Sequence, residues 1–527
     1  MMRLCARFAF ALAFVAMASI LPAPLFAALP ELPRVYLDTT YVPPTGSTIV
    51  VLAGGDFQAA LNTAQLGDVI TLEAGATFTG PFTLPNKTGT GWLFIRSSTA
   101  DSNLPPPGTR VDPSYASVMP KIVSPLLDGL GDPGNAIRLA VGAHHYRFIG
   151  VEIKPAAGAF IFELVPMHDD TASDFIFDRC YVHGDPAVGG RRGIAMNVRR
   201  GAVIDSYFAD FKEVGADSQA IAGWGGAGPF KVVNNYLEGA GENLLFGGAD
   251  PWVTNLIPSD IEIRRNYFFK PLSWKVGHPT YAGTPWTIKN LLELKNAQRV
   301  LLDGNLLENC WVGSQAGDAV LFTTRNQDGT APWSVVRDVT FINNTVRHAA
   351  GGIQLLAQDF PNPSQLGQRF LIKNNLFDDI GSQWGADVGL FTLSGGAPDV
   401  VIEHNTGVPT YAVVVVDAAM TGFIFRNNIM RYGTYGIIGT GTGPGNDTIN
   451  TYFPGAIVQK NAFAAGNAVA DASLYPPGNF FLASLNDIGF VDWPGGNYRL
   501  TTSSPYKNAG TDGKDLGVDF AAQVPCG

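Results

Sequence analysis

Short apolar runs alternate with polar breaks along most of the chain, and many of the runs end in asparagine. The stretches "KVVNNYLEG", "VLLDGNLLEN", "VTFINNTVRH", "FLIKNNLFDD" and "FIFRNNIMRY" show the pattern. Apolar and polar residues alternate with a period of two inside each run, which indicates short β-strands. No repeat contains a helical pattern of ten or more residues, so helical and leucine-rich arrays are disfavoured.

The asparagines mark a repeat. They recur at intervals of 23 to 39 residues, at Asn235, Asn266, Asn305, Asn344, Asn375, Asn405, Asn428 and Asn461. Upstream, Gly150, Cys180 and Ser206 stand at the same place in "FIGVEI", "FDRCYV" and "VIDSYF". Units of roughly thirty residues predict a solenoid. Because each unit consists of short strands, we predict an all-β fold, a right-handed parallel β-helix.

The recurring asparagine has two interpretations. Its side chain can point inward at the same bend of every coil, donating a hydrogen bond to one neighbouring coil and accepting one from the other. Alternatively, asparagine simply tolerates the left-handed backbone of a tight bend. Both interpretations predict the same fold, and we favour the ladder of hydrogen bonds.

Both ends of a solenoid must be covered, because the terminal coils otherwise expose strand edges and an apolar cross-section. Asp56 can cap a helix that begins at Phe57 and ends before Gly67, with its apolar residues on one face. After about residue 464 the asparagine repeat gives way to a turn-rich segment. We therefore predict a signal peptide over 1–27, an N-terminal segment with the capping helix over 28–134, coils over 135–463 and a C-terminal cap over 464–527.

The N-terminus predicts export. Two arginines, an apolar run from Phe8 to Leu21 and small residues up to Ala27 form the layout of a signal peptide. The alternative is a retained anchor, but the run is short for a bilayer span and is followed by Pro22. We expect a secreted protein, periplasmic or extracellular, with no membrane span in its mature chain.

The charge argues against a nucleic-acid partner. The formal net charge is -10, and it becomes -12 without the two arginines of the leader. Residues 185 to 300 are an exception, with 13 basic against 11 acidic side chains. This middle region can face an anionic ligand. For the oligomeric state, we expect a monomer.

The mature chain retains three cysteines, Cys180, Cys310 and Cys526, which is not a disulfide scaffold. Cys180 and Cys310 belong to coils four steps apart, roughly 19 Å at about 4.8 Å per step. Disulfides need Cα atoms within about 7 Å, so these two should not pair.

The capping segment "FQAALNTAQLGDVITLEAGATF" and the serial "NN" coils resemble the pectate lyase-like superfamily of right-handed parallel β-helices. The resemblance covers nearly the whole mature chain. It implies a polysaccharide partner lying along the outside of one sheet. The polygalacturonase segments Gly-His-Gly and Arg-Ile-Lys and the pectate lyase segment Trp-x-Asp-His do not occur in this sequence.

The nearest match is the subgroup of alginate lyases and chondroitinase B. There the resemblance implies a strand lysine as proton abstractor, an arginine one coil later, and calcium bound by an asparagine and two acids. "LLELKNAQRV" places Lys295 in the first position, and "VLFTTRNQDG" places Arg325 in the second. Where the subgroup has its calcium-binding acids, this chain has Ile288 and Asn290.

The remaining predicted contacts surround Lys295. Alternation places Glu293 on the outer face with Lys295 and turns Leu292 and Leu294 inward. We predict substrate contacts by Glu293, Arg299 and three tryptophans in or near long insertions, Trp274, Trp311 and Trp333. The alternatives are solvated charges on a sheet face and tryptophans that fold inward and pack the loops.

A calcium ion is the cofactor to consider. "GAGENLLFGGADP" offers Glu242, Asn243 and Asp250 as oxygen ligands on a glycine-rich bend. The alternative, which we favour, is a tight corner with a solvated acid.

Three classes of function stay open. The first is a protein that acts on or binds an acidic polysaccharide, with a lyase as its most specific form. The second is a non-catalytic carbohydrate-binding or cell-surface module. The third is a glycoside hydrolase with paired acids such as Asp378 and Asp379, although adjacent residues of a strand point to opposite faces.

Overall fold

The computed structural model describes residues 27–126 and 134–523, and it confirms the parallel β-helix. Each coil runs through three parallel sheets. A strand of sheet 1 leads into the asparagine bend, a strand of sheet 2 follows, and a strand of sheet 3 leads through a loop into the next coil. The predicted signal peptide, except Ala27, lies outside the described residues, as does Cys526.

Sheet 1 contains the strands Thr48–Val51, Val69–Leu72, Leu93–Ser97, His144–Ile149, Phe230–Val233, Ser259–Arg264, Ala297–Asp303, Val336–Ile342, Gln368–Lys373, Val400–Glu403, Ile424–Arg426 and Ile457–Gln459. Two long strands, Glu163–Asp178 and Arg192–Ile204, begin in sheet 3 and bend into sheet 1.

Sheet 2 contains Thr77–Thr79, Lys121–Val123, Glu152–Lys154, Tyr181–His183, Tyr207–Phe211, Tyr236–Gly239, Tyr267–Phe269, Leu306–Cys310, Thr345–Ala349, Leu376–Ile380, Thr406–Pro409, Ile429–Arg431, Ala462–Ala464 and Phe480–Leu482. Sheet 3 contains, after the two long strands, Gln219–Gly223, Glu242–Phe246, Leu292–Leu294, Asp318–Thr323, Gly351–Leu356, Phe391–Ser394, Val414–Val416 and Ile437–Gly439. Two further pairs are Phe82–Leu84 with Ile137–Leu139, and Phe490–Asp492 with Asn497–Leu500.

Helices occur at the ends and in loops. The α-helices are Phe57–Thr63, Asn446–Tyr452 and Ala468–Asp471, and the 3₁₀ helices are Asp101–Asn103, Pro113–Val118, Leu272–Trp274, Ser382–Trp384, Ala472–Leu474 and Leu485–Ile488. The first is the predicted capping helix. Asp56 accepts a hydrogen bond from Ala59 N at 2.9 Å, and Phe57 and Leu61 are buried in the end of the core. No helix in the described ranges is both long and apolar enough to cross a membrane.

The asparagine ladder is confirmed. Asn305 lies in its middle, where its Oδ1 accepts from Asn266 Nδ2 at 3.0 Å and its Nδ2 donates to Asn344 Oδ1 at 2.9 Å. Each Nδ2 also donates to a backbone carbonyl of the preceding coil, Ile263 O in the case of Asn305. The residue before each asparagine has the left-handed backbone, for example Asn343 with φ 59°. The inward amide of the ladder and the left-handed backbone of a tight bend therefore both occur, at two neighbouring residues of each coil.

The ladder is longer than predicted. Ser206 N donates to Asn235 Oδ1, and Cys180 N donates to Ser206 Oγ, both at 2.9 Å. At the other end, Asn461 Nδ2 donates to Asn479 Oδ1 at 3.0 Å. The strand Phe480–Leu482 that follows still pairs in parallel with Ala462–Ala464, so the coils continue beyond residue 463. Cys180 and Cys310 are both buried free thiols, as expected.

An extended segment over residues 27–45 lies along sheet 1, across the coils. Backbone N–H groups three residues apart donate to aspartates two coils apart: Ala28 to Asp399, Glu31 to Asp338 and Arg34 to Asp260. Three residues of an extended polyproline-like chain span about 9.3 Å, and two coil steps span about 9.6 Å. The matched spacing explains why every third residue finds the same type of acceptor.

Candidate active site

A row of polar side chains crosses the first coils of sheet 3. Its members, Glu163, Arg192, Gln219 and Glu242, are register partners in successive coils, and we call them the polar row. Arg192 donates to Glu163 Oε1 at 3.0 Å and to Gln219 Oε1 at 2.8 Å, and Gln219 Nε2 donates to Glu242 Oε2 at 2.7 Å. Stacking of coils thus links side chains that are 23 to 29 residues apart in the sequence.

Glu242 ends the polar row in a fully buried position. Burial, together with the charges of Glu293 and Asp217, raises the pKa of Glu242 to about 7, although Lys289 opposes the shift. Lys289 Nζ lies 3.3 Å from Glu242 Oε1 and 2.5 Å from Asp217 Oδ2. Buried carboxylates with raised pKa values are typical of sites that transfer protons.

Glu293 and Lys295 share the outer face of sheet 3, as predicted. Leu292 and Leu294 point into the core, while Lys295 Nζ lies 3.5 Å from Glu293 Oε1. Glu293 is nevertheless buried. Its carboxylate has partners within the protein, since Asn290 Nδ2 donates to Oε2 at 3.2 Å and Thr323 Oγ1 donates to Oε1 at 3.3 Å. The alternative of fully solvated charges therefore does not apply to this pair.

Arg325 lies beside Lys295 on the next coil. Its backbone N donates to Lys295 O at 2.9 Å, just beyond the strand Asp318–Thr323. The guanidinium Nη1 contacts the buried carboxylate of Asp359 at 2.9 Å, and 35% of the Arg325 side chain remains exposed. Asp359 thus fixes one end of a guanidinium whose other donors are accessible.

His168 borders the polar row, and Asn197 fixes its orientation. Asn197 Oδ1 accepts from the backbone N of Trp224 and of Gly225, so its Nδ2 faces His168 Nδ1 at 2.9 Å. This arrangement makes His168 Nε2 the protonated nitrogen, which donates to Glu163 at 2.5 Å. Burial raises the pKa of Glu163, but the hydrogen bonds from His168 and Arg192 and the charge of Arg192 outweigh burial and lower it.

Two tryptophan rings lie against this network. Arg192 lies over the Trp224 ring at 5.1 Å, and the ring of His168 is 6.3 Å from that of Trp252. Trp252 is 48% exposed and donates Nε1 to Asp170. An exposed indole beside charged side chains is the type of surface that sugar rings contact.

Burial argues against two of the predicted tryptophan contacts. Trp274 and Trp311 are each 4% exposed and pack with Ile288 and Ala240 in a small apolar cluster beneath the loops. Trp333 is half-buried and donates Nε1 to Leu256 O at 3.0 Å. Trp274 and Trp311 therefore follow the alternative interpretation, in which the long insertions fold inward.

Arg299 lies on a different face. Its guanidinium pairs with Asp260 in sheet 1, at 2.7 Å and 3.1 Å, where Asp260 also accepts from the N-terminal segment. The strand Ala297–Asp303 that carries Arg299 begins two residues after Lys295, and the predicted substrate contact is thus a side chain already held in an ion pair on sheet 1.

The three predicted calcium ligands do not converge. Glu242 is held by Gln219 and Lys289, and Asp250 Oδ2 accepts from Thr330 N at 2.8 Å. Asn243 points inward, where its Oδ1 accepts from Lys270 at 3.1 Å. The described residues contain no group of three His, Cys, Asp or Glu side chains placed to hold a metal ion. These three residues thus do not fit calcium as predicted.

The Lys270 ammonium occupies the space at this bend. It donates to the carbonyl oxygens of Gly239, Ala240 at 3.0 Å and Gly241 at 2.9 Å. Burial lowers its pKa to about 8. The Lys270 ammonium is therefore the cation that these carbonyl oxygens and Asn243 Oδ1 bind, next to the predicted metal ligand Asn243.

Sequence reasoning missed Glu163, Arg192, Gln219 and Trp224. The available signal was a polar residue at the start of each sheet 3 strand, at intervals of 29, 27 and 23 residues. The asparagine repeat did not reveal it, because the loops between asparagine and sheet 3 differ in length from coil to coil.

No family model and no curated protein matches the chain. Solved structures do. The PL6-family alginate lyase AlyGC is 13% identical, with a TM-score of 0.50, and the match covers 91% of this chain and 57% of that one. A mannuronic acid specific family 6 polysaccharide lyase from human gut microbiota is 11% identical, with a TM-score of 0.49, covering 82% of this chain and 91% of that one.

A third structure, the alginate lyase from Paenibacillus sp. str. FPU-7, is 14% identical with a TM-score of 0.34, over 79% of this chain and 99% of that one. At these identities the likeness concerns the path of the backbone. The chain has a parallel β-helix fold, as these solved structures do.

Proposed function

We propose that the protein is a secreted enzyme that cleaves an acidic polysaccharide by β-elimination on the outer face of sheet 3. One observation carries the proposal. Lys295, Glu293 and Arg325 lie side by side on consecutive coils, next to a hydrogen-bonded polar row and an exposed Trp252. The fold shared with the alginate lyase AlyGC supports the same substrate class.

β-Elimination makes three demands on the chain. The substrate carboxylate must be neutralised, the C5 proton removed, and the oxygen that leaves C4 protonated as the C4–C5 double bond forms. The accessible guanidinium donors of Arg325 suit the first role, because guanidinium and carboxylate form paired hydrogen bonds. In its neutral form the Lys295 amine suits the second role.

The third role needs a proton donor near Lys295. Burial is the main cause that raises the pKa of Glu242 to about 7. Its Oε2 and Oε1 already accept from Gln219 and Lys289, so neither oxygen is directed at the leaving group. After Lys295 has taken the C5 proton, its ammonium can pass a proton to the oxygen that leaves C4, and we assign the donor role to Lys295.

A second candidate is a non-catalytic carbohydrate-binding module. The burial of Glu293 and Glu242 favours it, since both carboxylates already have partners within the protein. The hydrolase is less well supported. Asp378 accepts from Tyr498 Oη at 2.5 Å, whereas Asp379 contacts His348 at 2.8 Å, so the two acids do not form a catalytic pair.

The test is to incubate the purified mature protein with alginate, pectate and glycosaminoglycans, with and without calcium. We expect the ultraviolet absorbance of an unsaturated product from at least one of these polymers. New reducing ends without that absorbance would indicate a hydrolase instead. Retardation in a polysaccharide gel without any cleavage would replace the enzyme by the binding module.

A further inference from the structure

An open surface cavity of 660 Å³ lies on the outer side of sheet 2 and is lined in part by the loop over residues 271–280. It belongs to a different sheet from Lys295 and the polar row. Three consecutive strands of sheet 2, Leu306–Cys310, Thr345–Ala349 and Leu376–Ile380, provide Glu308, Asn309, His348 and Asp379. The loop adds the polar residues Ser273, His278 and Thr280, and the apolar side consists of Phe269, Pro271, Leu272 and Trp384.

His348 lies between two carboxylates in this cavity. Its Nδ1 is 2.8 Å from Asp379 Oδ2, and its Nε2 is 3.8 Å from Glu308 Oε1. The hydrogen bond from His348 lowers the pKa of Asp379, so this carboxyl is ionised at neutral pH. Trp384 Nε1 donates to the same Asp379 oxygen at 2.9 Å, which fixes the indole at the cavity wall.

Glu308 has one satisfied and one available oxygen. Oε2 accepts from Tyr267 Oη at 2.5 Å and from Arg347 at 3.0 Å. Within the described residues, no group donates a hydrogen bond to Oε1, whose nearest charged neighbour is His348 at 3.8 Å. The Glu308 side chain is 12% exposed and lines the cavity, so its Oε1 is a place for a hydrogen-bond donor of a ligand.

The chemistry of the wall restricts the ligand. An ionised carboxylate only accepts hydrogen bonds, so a ligand group at Glu308 Oε1 must be a donor. A uronate would bring a third negative charge next to Glu308 and Asp379. The apolar side formed by Phe269, Pro271 and Trp384 suits the C–H face of a sugar ring. Arg347 and Lys275 balance the charges of the two carboxylates, and Lys275 Nζ lies 4.4 Å from the centre of the Trp384 ring. A cationic ligand would therefore gain little electrostatic attraction.

We propose that this cavity is a second sugar site that binds a neutral pyranose, with its hydroxyls on Glu308 and its ring against the apolar wall. The proposal is independent of catalysis at sheet 3. It implies that the protein holds a neutral sugar on one face while the other face meets an acidic chain.

The test uses the full mature protein with methyl glucoside, methyl galactoside and methyl mannoside, and with glucuronate and glucosamine as competitors. We expect at least one neutral glycoside to bind by calorimetry and to shift the NMR signal of the Trp384 indole N–H, assigned with Trp384→Phe. Glu308→Gln should weaken binding at least tenfold, whereas Lys295→Ala on sheet 3 should leave it unchanged.

The wild-type titration alone can overturn the proposal. Absence of binding by all three neutral glycosides would do so, as would tighter binding of glucuronate or glucosamine. Equal affinity in Glu308→Gln and in the wild type would also contradict it, provided that both proteins have the same circular dichroism spectrum.

Discussion

Replacing Asn305 by alanine should lower the free energy of unfolding by about 3 to 5 kcal/mol, the largest loss expected from a single substitution that leaves the apolar core intact. The side chain accepts from Asn266 N and Nδ2 and donates to Ile263 O and Asn344 Oδ1, and all these groups are buried. Each polar group left without a partner costs about 1 to 3 kcal/mol.

Urea denaturation followed by circular dichroism measures this loss. The matched control is Asn103→Ala, which removes an exposed amide outside the ladder and should change stability by less than about 0.5 kcal/mol. If Asn305→Ala were as stable as the control, the ladder would be a consequence of the fold rather than a source of its stability.

The second large effect concerns Lys295. In a polymer that the wild type cleaves, Lys295→Ala should reduce kcat by about 10³-fold, because general acid–base groups contribute roughly 10² to 10⁴. Among the charged side chains that the structure describes, Lys295 pairs only with Glu293, which keeps its hydrogen bonds from Asn290 and Thr323, so we expect the variant to lose some stability and retain the fold. Initial rates of absorbance increase give kcat and KM separately.

Arg299→Ala is the control for that experiment. It removes a cation of the same strand region, four residues away in sequence, but on sheet 1 rather than sheet 3. Its turnover should equal that of the wild type. Full activity of Lys295→Ala would remove the assignment, and equal losses in both variants would show that turnover follows overall stability.

The fold could be predicted because one residue type recurs at one geometric position. Every buried asparagine of the ladder must satisfy its amide, so the repeat is strict even where the loops between repeats vary from short turns to long insertions. The capping helix was equally accessible, since Asp56 and the apolar face of Phe57 and Leu61 are local signals.

The site was only partly predictable. Alternation within one strand placed Glu293 and Lys295 together, but the partners in the polar row depend on how loops of unequal length return to sheet 3. The positions of Trp274 and Trp311 depend on the same loops, and composition does not reveal whether an indole faces inward. The N-terminal segment was missed because its hydrogen bonds come from backbone groups, which carry no sequence pattern.

The central claim is that successive coils stack in register, so that residues more than twenty apart become neighbours on one face. Gln354 and Thr392 are register partners on the half-buried outer face of sheet 3, and Val415 is the partner of Thr392 one coil further. Adjacent coils are about 4.8 Å apart, within the range for a disulfide, whereas two steps are roughly 9.6 Å.

The direct measurement is oxidative cross-linking of two cysteine pairs, with Cys526 replaced by serine. Gln354→Cys with Thr392→Cys should form an intramolecular disulfide, seen as a mass loss of two hydrogens and a linked peptide pair after proteolysis. Gln354→Cys with Val415→Cys should stay reduced under the same conditions. A disulfide in the second pair and none in the first would contradict the register and, with it, the site on sheet 3.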